Sequence, residues 1–385
     1  MGGGVRDLLL GLHPKDFDIS TNATPEQVKS LFSNCRLIGR RFRLAHVHFG
    51  REIIEVATFR AGHDQTDGEG ITVDGMILRD NVFGSLEEDA WRRDFTVNAL
   101  YYNIADFSVV DYTGGLEDLR KGKLRMIGDV HTRFLEDPVR MLRAARFAAK
   151  LGFSIDPDMK QKIISLGHKL DDVPAARLFE EVLKIFQSGH GVNSYNVMRD
   201  LDLFGYLFRL TDRLLKNGDT YCDKFNHLAL SNTDKRIASG KPVNPAFLFA
   251  AFLWGPVRLE TDHLLQAEGL TELQAIQEAG NDIIMEQIKQ VTIPKRFSFP
   301  MREIWAMQAR LPRRKGKRAY RLLEQKRFRA AYDFLLLRNE VGEDLTMLCN
   351  WWTEFQEADT KQQTNMVRKL GGGNQRQRKK RASEH

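Results

Sequence analysis

The sequence predicts an α+β protein, with a mixed helix-and-strand segment first and a long all-helical stretch after it. KDFDIS, RLAHVHF and EIIEVATF alternate polar and apolar residues as half-buried strands do. From Asp118 to about residue 360 the apolar residues recur at helical spacing instead. The longest apolar run, AFLFAAFLW at Ala246–Trp254, falls short of the roughly 18 residues that span a bilayer and reads as a buried helix.

Taken in order, Val5–Leu10 makes a short helix that ends at Gly11. In KDFDIS, Asp16 and Asp18 share one strand face while Phe17 and Ile19 take the other. Thr24, Pro25 and Gln27 supply an N-cap, a first-turn proline and a capping-box glutamine, ahead of the stripe Val28, Leu31 and Phe32. Two strands flank Gly50-Arg51, with Glu55 facing away from Ile54 and Val56. Residues 61–75, rich in Gly and Asp, read as a mobile loop, and FTVNALYYNI and FSVVDYT return to strand. The tail from about Lys369 has no apolar period and a dense positive run, which predicts disorder.

The 385 residues give room for two or three domains. Lysine and arginine number 58 against 51 acids, a net +7 that favours a polyanionic partner such as nucleic acid. Three scattered cysteines exclude a zinc site or a disulfide framework and fit reduced thiols in a cytosolic, cytoplasmic setting. No signal segment opens the chain.

Four segments can carry chemistry. Asp16 and Asp18 repel one another unless a divalent cation such as Mg²⁺ sits between them; a solvated strand edge is the alternative. The glycines ahead of the first helix let backbone N–H groups approach phosphate, and Arg6 in its first turn suits an anion better than the helix dipole. In EEDAWRRDFTVNALYYN, Arg92 and Arg93 stand beside Asp94, a candidate third metal ligand, or the three form a surface ion-pair network. In FLEDPVRMLRAARFAAKLGF, Arg140, Arg143 and Arg146 fall in one arc, and Asp137 with Arg140 can read a base by accepting from an exocyclic amine and donating to a ring nitrogen. Arg177 and Glu181 are spaced as a supporting helix pair, with Arg177 also able to face the nucleotide. A basic block follows at 310–332, including Arg313, Arg314, Lys315, Lys317 and Arg318, whose charges suit nucleic-acid phosphates; the aromatic rings among them read as core.

Five motifs in order, GGGVRD with DFD, RRDFTVNA, DYTGGLEDL, EDPVRMLRAARF and ARLFEE, resemble the class II nucleotidyltransferase family, which holds bacterial poly(A) polymerases and CCA-adding tRNA nucleotidyltransferases. The resemblance implies a polymerase-β-like head at 1–117, a helical neck at 118–190 with nucleotide-selecting motifs, a helical RNA-binding body at 191–365 and a disordered basic tail at 366–385. It implies Asp16 and Asp18 as metal ligands for two Mg²⁺ ions, with Asp94 as the further acid and Glu55 as its rival. Gly3, Gly4 and Arg6 then meet the triphosphate and Arg92 the sugar or phosphates; Asp137 and Arg140 select the base, supported by Arg143, Arg146 and Arg177. LIGRRFRLAHVHF at 37–49 is similar to the poly(A) polymerase branch. ATP, single-stranded RNA 3′ ends and RNA-degradation machinery are the implied partners. Alternatives are a CCA-adding enzyme and, in another class, a noncatalytic RNA-binding protein. The family pattern also places a strand ahead of the glycines, where this sequence has Met1, so that strand is expected to be missing.

Overall fold

A computed structural model describes residues 1–14, 16–39, 43–61, 72–73, 76–77, 82–267 and 269–371. The chain divides into two compact units, Met1–Leu166 and a second that begins at Gly167. This break falls inside the segment 118–190 assigned above to a neck. Within the first unit, Arg143 pairs with Asp94 and Lys150 with Asp7, which ties residues 139–151 to the segments before them.

In the first unit α1 (Gly3–Leu9) follows Gly2, whose φ of 62° is open to glycine at little cost. A mixed sheet of order β1-β4-β3-β2 comes next, from β1 (Ile19–Thr21), β2 (Cys35–Ile38), β3 (Leu44–Phe49) and β4 (Glu52–Thr58). β1 and β4 run parallel and the other neighbours antiparallel. Between β1 and β2 lies α2 (Pro25–Leu31), with the predicted capping box of Thr24 and Gln27 formed. It buries Val28 on Cys35, Ala45 and Val47. That face takes alternate residues, so His46 and Glu55, paired across β3 and β4, fall on the opposite one.

The alternation in KDFDIS is only partly realised. The strand begins at Ile19 and is an edge strand, so Phe17 and Ile19 stay 59% and 46% exposed instead of entering a core. Most of the loop expected at 61–75 lies outside the described residues, as do Arg40, Arg41 and Phe42 of the branch signature. Within that loop region β5 (Thr72–Val73) pairs antiparallel with β6 (Met76–Ile77), where β-branched residues favour extended backbone.

The strand expected over FTVNALYYNI becomes a 3₁₀ turn at Thr96–Asn98 and then β7 (Leu100–Tyr102), paired with β8 (Val109–Asp111). Side chains hold the turn: Asp94 accepts from the Phe95 amide, and the Thr96 hydroxyl donates to Asp118. α3 (Leu86–Trp91) precedes it, and α4 (Gly115–Lys121) follows. The double glycine of DYTGGLEDL has a steric cause, because a Cβ on Gly115 would stand 2.3 Å from the Thr96 carbonyl oxygen. β9 (Lys123–Leu124), α5 (Val130–Glu136), α6 (Val139–Leu151), β10 (Ser154–Ile155) and α7 (Pro157–Leu166) complete the unit.

The second unit is helical among its described residues: α8 (Ala175–Phe186), α9 (Gly191–Asp200), α10 (Arg209–Lys216), α11 (Thr220–Ala238), α12 (Pro245–Phe252), α13 (Trp254–Ala267), α14 (Glu272–Gln287), α15 (Lys295–Gln308), α16 (Lys317–Leu323), α17 (Phe328–Glu340), α18 (Thr346–Glu357) and α19 (Thr360–Gly371). Phe186, Phe204, Phe208, Phe249 and Phe252 build its aromatic centre, so the apolar run at Ala246–Trp254 is buried as expected. A second cluster gathers Phe328, Tyr332, Trp352 and Phe355. Met366 and Val367 pack on it, which is why α19 extends through residues 366–371 where a disordered tail was expected; 372–385 lie outside the described residues. No described helix is long and apolar enough to cross a membrane.

Candidate active site

The glycine turn and the aspartate pair touch. A Cβ on Gly4 would stand 3.3 Å from the Asp16 carbonyl oxygen, so the glycine lets α1 lie against the DFD segment. Gly2 N–H donates to the Leu100 carbonyl at 2.8 Å, and the Met1 ammonium donates to the Asp18 carbonyl at 2.7 Å. Asp16 is exposed and Asp18 half-buried. Parallel pairing sets Ile19 beside Val56, so Asp18 and Glu55 occupy matching positions one residue earlier. Glu55 lies 3.4 Å from His46 Nε2.

A pocket of about 440 Å³ opens at the start of α1. Eight residues singled out from sequence line it: Gly3, Arg6, Arg92, Arg93, Asp94, Asp137, Arg140 and Arg143, with Asn98 and Phe147 beside them. Asn98 and Phe147 escaped the sequence reading, although each sits inside a recognised motif, RRDFTVNA and VRMLRAARF.

Acids within the fold anchor these arginines. Asp94 Oδ2 accepts from Arg143 Nε at 2.8 Å and Nη2 at 2.5 Å, and Oδ1 accepts from the Phe95 amide and Asn98. Burial works against ionisation of Asp94, yet Arg143 and these donors outweigh it and hold the carboxyl below the ordinary aspartate range. Asp89 is buried too, and Arg92, Arg93 and the Tyr101 hydroxyl likewise keep it below that range. Arg6, expected to meet an external anion, has an internal one: its buried guanidinium donates to Asp7 at 2.8 Å and also to Asn98.

One ring gathers three guanidiniums. Phe147 has Arg6, Arg143 and Arg146 at 5.3, 5.5 and 4.5 Å from its centroid. Arg146 thus stacks on Phe147 and is not part of the pocket wall. Asp137 lies at the elbow between α5 and α6, where it accepts from the Val139 amide. Arg140 donates to the Arg133 carbonyl and to Glu136, both at 2.7 Å.

Other expected members stand elsewhere. Gly4, Asp16 and Asp18 lie beside the pocket, not in its wall. Among the described residues no three His, Cys, Asp or Glu side chains converge to hold a metal, so Asp16, Asp18 and Asp94 are not a preassembled triad. The reason for Asp94 is its engagement with Arg143. Arg177 is exposed on α8 in the second unit, and the Glu181 carboxylate takes Lys184 at 2.8 Å. Of the basic block, Arg313, Lys315, Lys317 and Arg318 are exposed, while Arg314 stacks at 5.1 Å on Trp351.

Three family descriptions match the chain: "Poly A polymerase head domain" at residues 1–125, "Probable RNA and SrmB- binding site of polymerase A" at 152–215 and "Polymerase A arginine-rich C-terminus" at 268–385. Poly(A) polymerase I of Escherichia coli O6:H1 is 52% identical over 377 residues, covering 96% of this chain and 81% of that protein. The chain belongs to the poly(A) polymerase family. Poly(A) polymerase I of Haemophilus influenzae is 46% identical, over 95% of this chain and 82% of that protein. A CCA-adding enzyme of Leuconostoc mesenteroides is a more distant relative, 37% identical over 54% of this chain and 50% of its own length. Solved CCA-adding enzymes share the fold: that of Bacillus stearothermophilus, in complex with CTP, has a TM-score of 0.56 at 24% identity, covering 92% of this chain and 77% of that one. As a poly(A) polymerase family member the chain is a polynucleotide adenylyltransferase that extends RNA without a nucleic-acid template, from a nucleotide substrate and with a divalent metal.

Proposed function

We propose that this chain adds AMP from ATP to single-stranded RNA 3′ ends at the pocket above. One observation carries the reading: eight residues from three separate segments, singled out by the chemistry they suit, line one cavity. The RNA 3′ hydroxyl attacks the α-phosphate in line, a new phosphodiester forms as the α–β phosphoanhydride bond breaks, and pyrophosphate leaves beside Gly3 and Gly4 at the start of α1.

Asp16 and Asp18 fit a hard divalent cation, being two carboxylates one residue apart with exposed or half-exposed side chains. Asp16 and Asp18 would hold the divalent ions, proposed as two Mg²⁺, which would supply charge stabilisation for the transfer. Glu55 is the proposed third acid, because the β1–β4 register sets it level with Asp18 while Asp94 is held by Arg143; its side chain would leave His46 and converge on Asp16 and Asp18 as the ions bind. Asp94 then serves by fixing Arg143 in the pocket wall.

Arg92, anchored on Asp89, holds the sugar or phosphates. Asp137 accepts from the adenine amine and Arg140 donates to a ring nitrogen, which favours ATP over UTP. Arg146, through its stack on Phe147, completes the assignment as a supporting residue. RNA phosphates meet Arg313, Lys315, Lys317 and Arg318, and RNA-degradation machinery is the proposed partner class. Free, buried Cys35, Cys222 and Cys349 support a reducing, cytoplasmic setting.

The test is a short RNA incubated with Mg²⁺ and each nucleoside triphosphate separately, read on a gel. A long ladder with ATP alone is expected. Addition of CTP that stops after a few residues identifies a CCA-adding enzyme, and no extension with any nucleotide identifies a noncatalytic RNA binder.

A further inference from the structure

The second unit holds a cleft of about 660 Å³ that neither the head pocket nor the 313–318 cations account for. It lies where the C-terminal end of α11 meets α17, with the start of α12 as one wall. Six cations line it: Lys235, Arg236 and Lys241 from one part of the chain, Lys326, Arg327 and Arg329 from another. Among the described residues its lining acids are Asp333 and Glu340, and Glu303 outside the lining pairs with Arg327 at 3.2 Å, which leaves the rim net positive. Two regions remote in sequence thus build one positive rim, as a polyanion requires.

The interior of the cleft differs from its rim. Phe247 and Leu336 are half-buried in it and Leu248 is buried, which gives an apolar wall below the charges. The rim is partly fixed in place: Arg329 pairs with Asp333 at 3.0 Å, and Arg236 donates to the Pro242 carbonyl at 3.1 Å. Burial pushes the Asp333 carboxyl above its ordinary value, so this acid is a costly charge that Arg329 offsets. A cavity of this size falls within the roughly 300–1,000 Å³ that small ligands occupy. A cationic rim over an apolar wall suits a ligand with a phosphate at one end and a flat π-face at the other.

We propose that this cleft seats one nucleotide of the single-stranded RNA, its phosphates on Lys235, Arg236 and Arg329 and its base against Phe247, Leu248 and Leu336. The inference rests on the RNA-extending function above. Extension of the test RNA by the unmodified chain with ATP reports that function separately.

The experiment measures anisotropy of a labelled oligo(A) of about 15 nucleotides across a salt series. The full chain is compared with Lys235→Ala/Arg329→Ala, with Lys241→Glu as a second variant, and with the control Lys289→Ala/Lys361→Ala, two exposed lysines outside the cleft. Either cleft variant is expected to weaken oligo(A) binding about tenfold, and the double variant lowers the salt slope by about 0.7 per lost contact. The control keeps the affinity and slope of the unmodified chain. Duplex RNA, whose bases are paired, loses little in the cleft variants. The proposal is overturned if both cleft variants bind oligo(A) like the unmodified chain, or if duplex RNA loses as much as oligo(A), which would leave charge alone. It is also overturned if the cleft variants lose affinity for ATP in the absence of RNA, which would assign the cleft to free nucleotide.

Discussion

Asp94 and Arg143, 49 residues apart in sequence, meet in a two-point contact in which one carboxylate oxygen takes both Nε and Nη2 of the guanidinium. The pair joins α6 to the RRD segment and sets one wall of the pocket at the start of α1. Its loss has a structural cost before any catalytic one. Arg143→Ala leaves a carboxylate only 11% exposed without its counter-charge and is expected to destabilise the first unit by on the order of 3 kcal/mol. Asp94→Asn added to Arg143→Ala should recover part of that loss. Urea midpoints of the four-member cycle check it, and strict additivity would show that the two residues act independently.

Acid should weaken the same unit. Asp94 and Asp89 are both held below the ordinary aspartate value of 3.8 in the folded chain. Their contribution is therefore present above that value and is lost as pH falls through the lower folded values. Thermal midpoints between neutral and acid pH should fall less steeply in Asp89→Asn/Asp94→Asn than in the unmodified chain. Equal slopes would contradict the assignment.

Gly4 lies where the start of α1 meets the DFD segment. Gly4→Ala brings a methyl group to 3.3 Å from the Asp16 carbonyl oxygen and pushes the DFD segment by a fraction of an ångström. Because small misplacements cost rate steeply, turnover should drop about tenfold with a nearly unchanged unfolding midpoint. Steady-state rates alongside thermal melts measure both quantities.

Base choice should follow Asp137 and Arg140. Replacing either by alanine removes one half of the expected edge recognition, and ATP preference over UTP should fall by roughly 10- to 100-fold. The ratio of kcat/KM for the two nucleotides checks this, since a general folding defect would lower both together.

The basic block should split in two. Alanine at Arg313, Lys315, Lys317 and Arg318 lowers the salt slope of RNA binding by about 0.7 for each phosphate contact removed. Arg314→Ala instead lowers stability by about 1 kcal/mol with an unchanged slope, because its guanidinium lies on Trp351.

Local chemistry was legible in the sequence wherever it acts over a few residues. Thr24 and Gln27 cap α2 as their spacing requires, and the two strands around Gly50-Arg51 pair as their alternation requires. The arginine arc of α6 was legible as well, and two of its three members face the pocket. Long-range partners were not. Nothing near Asp94 in sequence reveals Arg143, and nothing near Arg6 reveals Asn98. The 3₁₀ turn at Thr96–Asn98 interrupts a strand-like pattern because Asp94 and Asp118 supply competing hydrogen bonds. Phe147 hides as an ordinary helix aromatic until the fold brings Arg6 onto the ring that Arg143 and Arg146 of the same helix flank.

The most direct test of the central claim is RNA extension by Asp18→Ala, run beside the unmodified chain with ATP and Mg²⁺ and paired with RNA binding by anisotropy. The DFD carboxylates are predicted to be needed for transfer and not for RNA affinity, so the variant should bind RNA normally and add no adenylate. Extension by Asp18→Ala at the rate of the unmodified chain would contradict it.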